Sequence, residues 1–334
     1  MGRIASHQWT MWAVAACLWA VTPLAWAVVD LAPLRAQFAL SEHQVDYLDA
    51  KLTVDRLIDP ATDVAAVHRE IHRWEQAIRR NFPAGASDRT KLDALIKTLY
   101  EPGPWNDNQP FSYDLTDPLG RNPANKRLAT YLASRKGNCV SMPILVIILG
   151  QRLGLPVALA TAPNHVMVKF ADDRQQAWLN VEATAGGFKY DSSYERDTSI
   201  TPLALQNDLY LRPLRPHEGL GVIASSLMEH FGAHKNADSL MAVADLALEA
   251  NPIDPVAMIW KANAYYLQLQ DRFVGPYPDA ADIPADKVAD YQQLSRENLA
   301  WFDRAEKLGW TQQTLEQEAA YLQSIQRERR QKGL

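Results

Sequence analysis

The sequence predicts an α+β protein in which one fully apolar helix packs against a small antiparallel sheet. Three features carry that expectation. Apolar residues recur at helical steps before residue 100, a run apolar on all sides follows Cys139, and runs of strand type occupy 155–183. The composition fits a globular chain, since 334 residues that are 47% hydrophobic and 22% charged exclude a collagen or a disordered polyampholyte. With 34 Lys and Arg against 39 Asp and Glu the net charge is -5, so no basic field exists to attract nucleic acid, and no nucleic-acid partner is expected.

Residues 1–27 read as a signal peptide. Arg3 precedes an apolar run over 9–21, followed by Thr22-Pro23 and the small-residue pattern Ala25-Trp26-Ala27, with cleavage expected before Val28. That run is shorter than the ~20 residues a membrane-spanning helix needs. The expected location is therefore periplasmic or secreted. Val14-Ala15-Ala16-Cys17 also looks like a lipoprotein cleavage box, and lipidation at Cys17 is the one expected route to a membrane. Without residues 1–27, Cys139 is the single cysteine of a protein in an oxidising compartment.

Residues 28–100 are expected to be a helical part. Ser41-Glu42-His43-Gln44 is a capping box ahead of Val45, Leu48 and Leu52, in an element that Pro60 ends. Val64, Val67, Ile71, Trp74 and Ile78 form a second apolar stripe, and Leu92, Leu95, Ile96 and Leu99 a third after Ser87. The stretch 101–124 is rich in Pro, Gly, Asn and Asp and predicts a long loop. A short helix through Leu128, Tyr131 and Leu132 follows, with Gly137 in a C-cap position.

The run 140–149 predicts a buried helix that Gly154 terminates. Pro143 is tolerated only in a first turn, so this helix starts within a few residues of Cys139. Strand-type runs follow at 155–160, 165–170 and 177–183. Helices are expected again at 220–231, 237–250, 255–270, 287–308 and 311–330. Residues 247–265 resemble a tetratricopeptide repeat, with small residues where helices meet, and a Pro- and Asp-rich insert at 271–286 interrupts the pattern.

A thiol at a helix N-terminus sits where backbone N–H groups and the macrodipole favour negative charge, which makes Cys139 a candidate nucleophile. It needs a base, and the base needs an orienting group. In 165–170, Val166, Val168 and Phe170 share one strand face while His165, Met167 and Lys169 share the other. Leu179 and Val181 likewise oppose Trp178, Asn180 and Glu182. A hairpin with its apolar faces together puts His165 on the side of Asn180 and Glu182. A two-residue loop at 172–173 sets His165 opposite Asn180, whereas a four-residue loop at 172–175 sets it opposite Glu182.

Taken in order, Arg135-Lys136-Gly137-Asn138-Cys139-Val140-Ser141, Arg152-Leu153-Gly154-Leu155-Pro156, Asn164-His165 and the segment from Trp178 to Thr184 form a motif set. This set, over about residues 110–190, resembles the transglutaminase-like branch of the papain-like cysteine enzymes. The resemblance implies a transglutaminase-like core at 101–215 and a helical, tetratricopeptide-like region at 216–334. It implies Cys139 as nucleophile and His165 as base. Glu182 takes the position of the family's Asp, a departure, and Asn180 is the alternative orienter, as Asn is in papain-type enzymes. Gln109 and Asn138 are candidate oxyanion donors.

The expected function is an exported, cysteine-dependent amide or peptide hydrolase or acyl transferase, acting on a peptide, protein or cell-wall peptide. The rival is an inactive transglutaminase-like module that binds a peptide or protein, with the helical C-terminal region as a partner surface. No Gly-rich phosphate loop is present, so no cofactor is expected. The pairs His68/His72 and His230/His234 have metal-ligand spacing but no third ligand, and no metal is expected. Arg327, Arg329 and Arg330 suit the C-terminal end of a last helix.

Overall fold

The computed structural model describes residues 29–172 and 177–331. The signal-peptide and Cys17 readings fall on residues outside those described. After a short helix α1 (Ala32–Phe38), which sequence patterning did not reveal, come α2 (Tyr47–Ile58), α3 (Val64–Arg80) and α4 (Asp88–Tyr100). The last two begin as expected, with Asp63 and Ser87 accepting hydrogen bonds from first-turn N–H groups. The capping box at Ser41 does form, but it closes a 3-10 turn, Glu42–Gln44. Helix α2 is capped instead by Asp46, which accepts from the N–H groups of Leu48 and Asp49.

The long loop holds strand β1 (Ser112–Tyr113), which pairs in parallel with β2 (Lys136–Gly137) beyond helix α5 (Leu128–Ser134). Gly137 does not cap α5. Arg135 takes the left-handed position at φ 56°, and Gly137 lies in β2, where a Cβ would stand within 3 Å of the Tyr131, Met142 and Ser141 side chains. Close packing, not a turn, calls for the glycine.

Helix α6 (Ser141–Arg152) is the axis of the fold. Every residue from Ser141 to Gly150 is buried, Pro143 is its third residue, and Gly154 follows it at φ 71°. Helices α2 to α5 pack on it from one side. From the other comes an antiparallel sheet ordered β3 (Val157–Ala162), β4 (His165–Asp172), β5 (Ala177–Glu182) and β6 (Gly187–Lys189). Val168, Phe170 and Val181 join α6 in the main core, as the alternating pattern requires. The opposite sheet face is covered by α7 (Asp191–Asp197) and α8 (Pro202–Gln206), with Met167, Tyr194 and Ala204 in a second core.

The chain then turns helical: α9 (Pro216–Ala233), α10 (Ala237–Ala250), α11 (Pro255–Leu269), α12 (Val288–Lys307) and α13 (Leu315–Gln331). Consecutive members of α9 to α12 pack against one another, and α9 also contacts α2 and β3, so this region shares the main core. Among the described residues no helix is long and apolar enough to cross a membrane.

One buried ion pair anchors the assembly. Lys51 Nζ donates to Asp55 Oδ1 at 2.6 Å with both side chains fully buried. The other Asp55 oxygen accepts from the Leu128 N–H at 2.8 Å, which ties α2 to the start of α5.

Candidate active site

The site is assembled at the start of α6 and at one end of the central strands β4 and β5. Asn138, fully buried, shapes the helix start: its Oδ1 accepts from the N–H groups of Val140 at 2.9 Å and Ser141 at 3.0 Å. Its carbonyl accepts from the Met142 N–H. Three of the first amide hydrogens of this segment are thus committed to one residue. The N–H of Cys139 has no hydrogen-bond partner among the described residues. The helix N-terminus itself favours an anion at this position.

Cys139 is half-buried, and its Sγ lies 3.7 Å from the carbonyl oxygen of Asn164. Asn164 occupies the left-handed region at φ 54°, which Asn tolerates, in the two-residue turn that joins Ala162 to His165. The turn delivers His165 as the first residue of β4, beside the thiol. The His165 Nε2 pairs with Glu182 Oε2 at 3.0 Å, which leaves Nδ1 as the ring nitrogen for the thiol. Burial pushes the imidazole towards its neutral form, but the nearby Cys139 and Glu182 outweigh it and raise its pKa from 6.5 to about 9.

Glu182 is held on every side. Burial alone would raise its pKa, yet His165, Thr184 and Tyr194 bring it down to about 2. Thr184 donates from its hydroxyl and from its N–H to Oε1, at 2.5 Å and 3.1 Å. The Tyr194 hydroxyl donates to Oε2 at 2.7 Å, the oxygen that also meets His165, and its ring lies 5.6 Å from the imidazole. Tyr194 is fully buried, and burial followed by the Glu182 charge keeps its hydroxyl protonated.

The other sequence candidates lie elsewhere. Asn180 shares the sheet face of His165 but stands opposite Lys169, and its Nδ2 donates to Lys189 O and to Asp191 Oδ1, which also receives Lys169 Nζ. The ladder pairs Asp172 with Ala177 and Val168 with Val181, a register two residues beyond the four-residue alternative. Neither expected register occurs, and His165 meets Glu182 diagonally rather than face to face. Gln109 is exposed, with its carbonyl tied to Arg135, at the end of the β1/β2 ladder away from Cys139. Asn138 acts as the cap described above, and its buried amide nitrogen has no access to solvent.

Tyr113 and Tyr194 are site residues that the sequence did not single out, and Asn164 and Thr184 lie within the quoted motifs without a role assigned to them. Tyr113 stands at the end of β1, where burial first, and then the nearness of Cys139, hold its hydroxyl protonated. Among the described residues no group of three His, Cys, Asp or Glu side chains stands at metal-ligating distance. His230 stacks on His234 with ring centroids 4.2 Å apart, and His68 Nε2 lies 3.8 Å from Asp49.

A sequence comparison matches residues 65–218 to the transglutaminase-like superfamily model. The chain carries a transglutaminase-like superfamily domain. The matched span runs from the start of α3 to the start of α9, so in this transglutaminase-like domain the helices α3 and α4 are included with α6 and the sheet. Neither the curated proteins nor the solved structures yield a match.

Proposed function

We propose that the transglutaminase-like domain is a cysteine-dependent enzyme that cleaves or transfers acyl groups at amide bonds of a peptide, protein or cell-wall peptide. The observation that carries this reading is the line Cys139, His165, Glu182, in which Glu182 Oε2 anchors the imidazole through Nε2 at 3.0 Å and the carboxylate and the neighbouring thiol both favour the protonated ring. An imidazolium beside the sulfur favours the thiolate, the reactive form. The thiolate attacks the amide carbonyl, and the Cys139 N–H, which has no partner of its own among the described residues, donates to the oxyanion. His165 then gives its proton to the departing amine as the C–N bond breaks, leaving a thioester on Cys139. Water or a second amine attacks the thioester, His165 takes up the attacking group's proton, and the thiolate is released. Water gives hydrolysis; an amine gives transfer.

We assign Glu182 the orienting role and leave Asn180 to the Lys169–Asp191 network. Export through the signal-peptide reading of 1–27 and partner binding by the helices of 216–334 belong to the same proposal. The test is to offer the purified protein a library of peptides and cell-wall fragments, with Cys139→Ala as control. A product absent from the control supports the reading. An inert wild type, whose Cys139 alkylates with one pH profile whether or not His165 is present, would leave the non-catalytic binding module as the better account.

A further inference from the structure

The C-terminal segment reaches the candidate site from the far end of the chain. Its root is firm: Leu308 and Trp310 pack on the second core, and Thr201 Oγ1 donates to the Gly309 carbonyl at 2.8 Å. Beyond the root the attachments change in kind. Gln313 Oε1 accepts from Asn164 Nδ2 at 3.0 Å. Glu318 pairs with Arg121 at 2.7 Å. The Tyr321 hydroxyl meets the Tyr113 hydroxyl at 2.9 Å and donates to the Pro118 carbonyl at 3.1 Å.

These contacts lie on both rims of the nucleophile. Asn164 contributes the carbonyl 3.7 Å from the Cys139 sulfur, and Tyr113 pairs in the β1/β2 ladder with Gly137, two residues before Cys139. The segment from Gln313 to Tyr321 therefore runs from the turn that precedes His165 to the loop strand that pairs with the lead-in to Cys139. What holds it is weak. Leu315 is 88% exposed, Ile325 is a buried apolar residue of α13, and the ties to the rims named above are hydrogen bonds and an ion pair open to solvent. Contacts of this kind open at low cost, unlike the packed root at Trp310.

We propose that the segment from Gln313 through α13 is a strap across the cleft, which an acyl donor must displace to reach Cys139. The strap makes the C-terminal region a control on access to the thiol: small molecules pass it, and a polypeptide competes with it for the rims at Asn164 and Tyr113. Gln313 and Tyr321 hold the places that donor groups would take, an amide on the Asn164 side and a hydroxyl on the Pro118 carbonyl. The inference rests on Cys139 as the nucleophile.

The test compares alkylation of Cys139 in the full chain by iodoacetamide and by a bulky fluorescein maleimide, followed by mass spectrometry of the Cys139 peptide. Glu318→Arg should raise the bulky-to-small rate ratio about two- to five-fold, the range an exposed ion pair carries. The exchanged pair Arg121→Glu with Glu318→Arg should return the ratio to the wild-type value. Gln313→Ala, Glu318→Arg and Tyr321→Phe together should raise it further than Glu318→Arg alone. A ratio unchanged in Glu318→Arg, or unrestored in the exchanged pair, overturns the strap. His165→Ala read with iodoacetamide reports on the nucleophile separately, so loss of that dependence counts against the enzyme reading and not against the strap.

Discussion

Replacing Glu182 by Gln removes the charge that holds His165 while keeping the size of the side chain. At 3.0 Å and an effective dielectric of about 20, the lost attraction is about 5 kcal/mol, equivalent to about 4 pKa units. Burial opposes the charged ring and Cys139 supplies part of the rise, so the imidazole should fall from about 9 to about 6.5 or below. Because the folded value lies above the unfolded 6.5, this group stabilises the native state fully below that pH and ceases to as pH rises through 9. The linkage integral gives about 2.5 kcal/mol at pH 7 and almost nothing by pH 10.5. The assay is urea unfolding of wild type and Glu182→Gln at both pH values, alongside an NMR titration of the His165 ring. The stability gap between the two proteins should close as pH rises. A wild-type ring titrating at or below 6.5, or a gap that is flat with pH, would refute the assignment of Glu182 as the partner of His165.

Four further outcomes are expected. Glu182→Asp should withdraw the carboxylate from His165 and lower the ring's pKa nearly as much as Glu182→Gln, as NMR titration will show. Tyr194→Phe should cost about 1–2 kcal/mol in urea unfolding through one lost charge-assisted hydrogen bond, and should shift the Cys139 alkylation profile because Oε2 loses a donor it shares with His165. Asp55→Ala should destabilise by about 3–5 kcal/mol, since it strands the fully buried Lys51 charge and frees the Leu128 N–H. Asn138→Ala should cost about 1–2 kcal/mol in stability by uncapping the start of α6, and should lower the rate of Cys139 alkylation through the loosened turn.

The parts of the site that the sequence made legible share one property: they depend on periodicity alone. Pro143 and the unbroken apolar run place the start of α6, and with it Cys139, without reference to any distant residue. The strand period of two puts His165 on the face of Asn180 and Glu182 in every register that keeps the apolar faces together, so that relation survives although both expected registers fail. The choice between Asn180 and Glu182 depends on loop length, which carries no periodic signal. The box at Ser41 is a real capping box on the wrong element, because box chemistry fits a 3-10 turn as well as an α-helix. Tyr113, Tyr194 and the strap arise from tertiary contacts, and the Tyr113–Tyr321 bond spans 208 positions that no local pattern connects. Thr184 lay within the recognised motif, but its bond to Glu182 needs the backbone bend that follows β5.

The observed register also accounts for Glu in the place of the family's Asp. Continuing the register from Val168 and Val181 by one residue sets the last residue of β5, Glu182, level with Met167, one diagonal step from His165. Directly opposed Cβ atoms lie about 4.5–5.5 Å apart, whereas diagonal ones lie at about 7–8 Å or somewhat less. An aspartate at 182 has one methylene too few to cross that gap to an imidazole that is itself fixed beside Cys139. A glutamate crosses it, but its extra torsion would let the carboxylate wander and would dilute its hold on the ring. Thr184 on Oε1 and Tyr194 on Oε2 remove that freedom, and both are uncharged donors that leave the carboxylate's full charge directed at His165. The longer acid and its two clamps therefore act as one unit: reach without the clamps would give a mobile partner, and the clamps on a shorter acid would hold it away from the histidine.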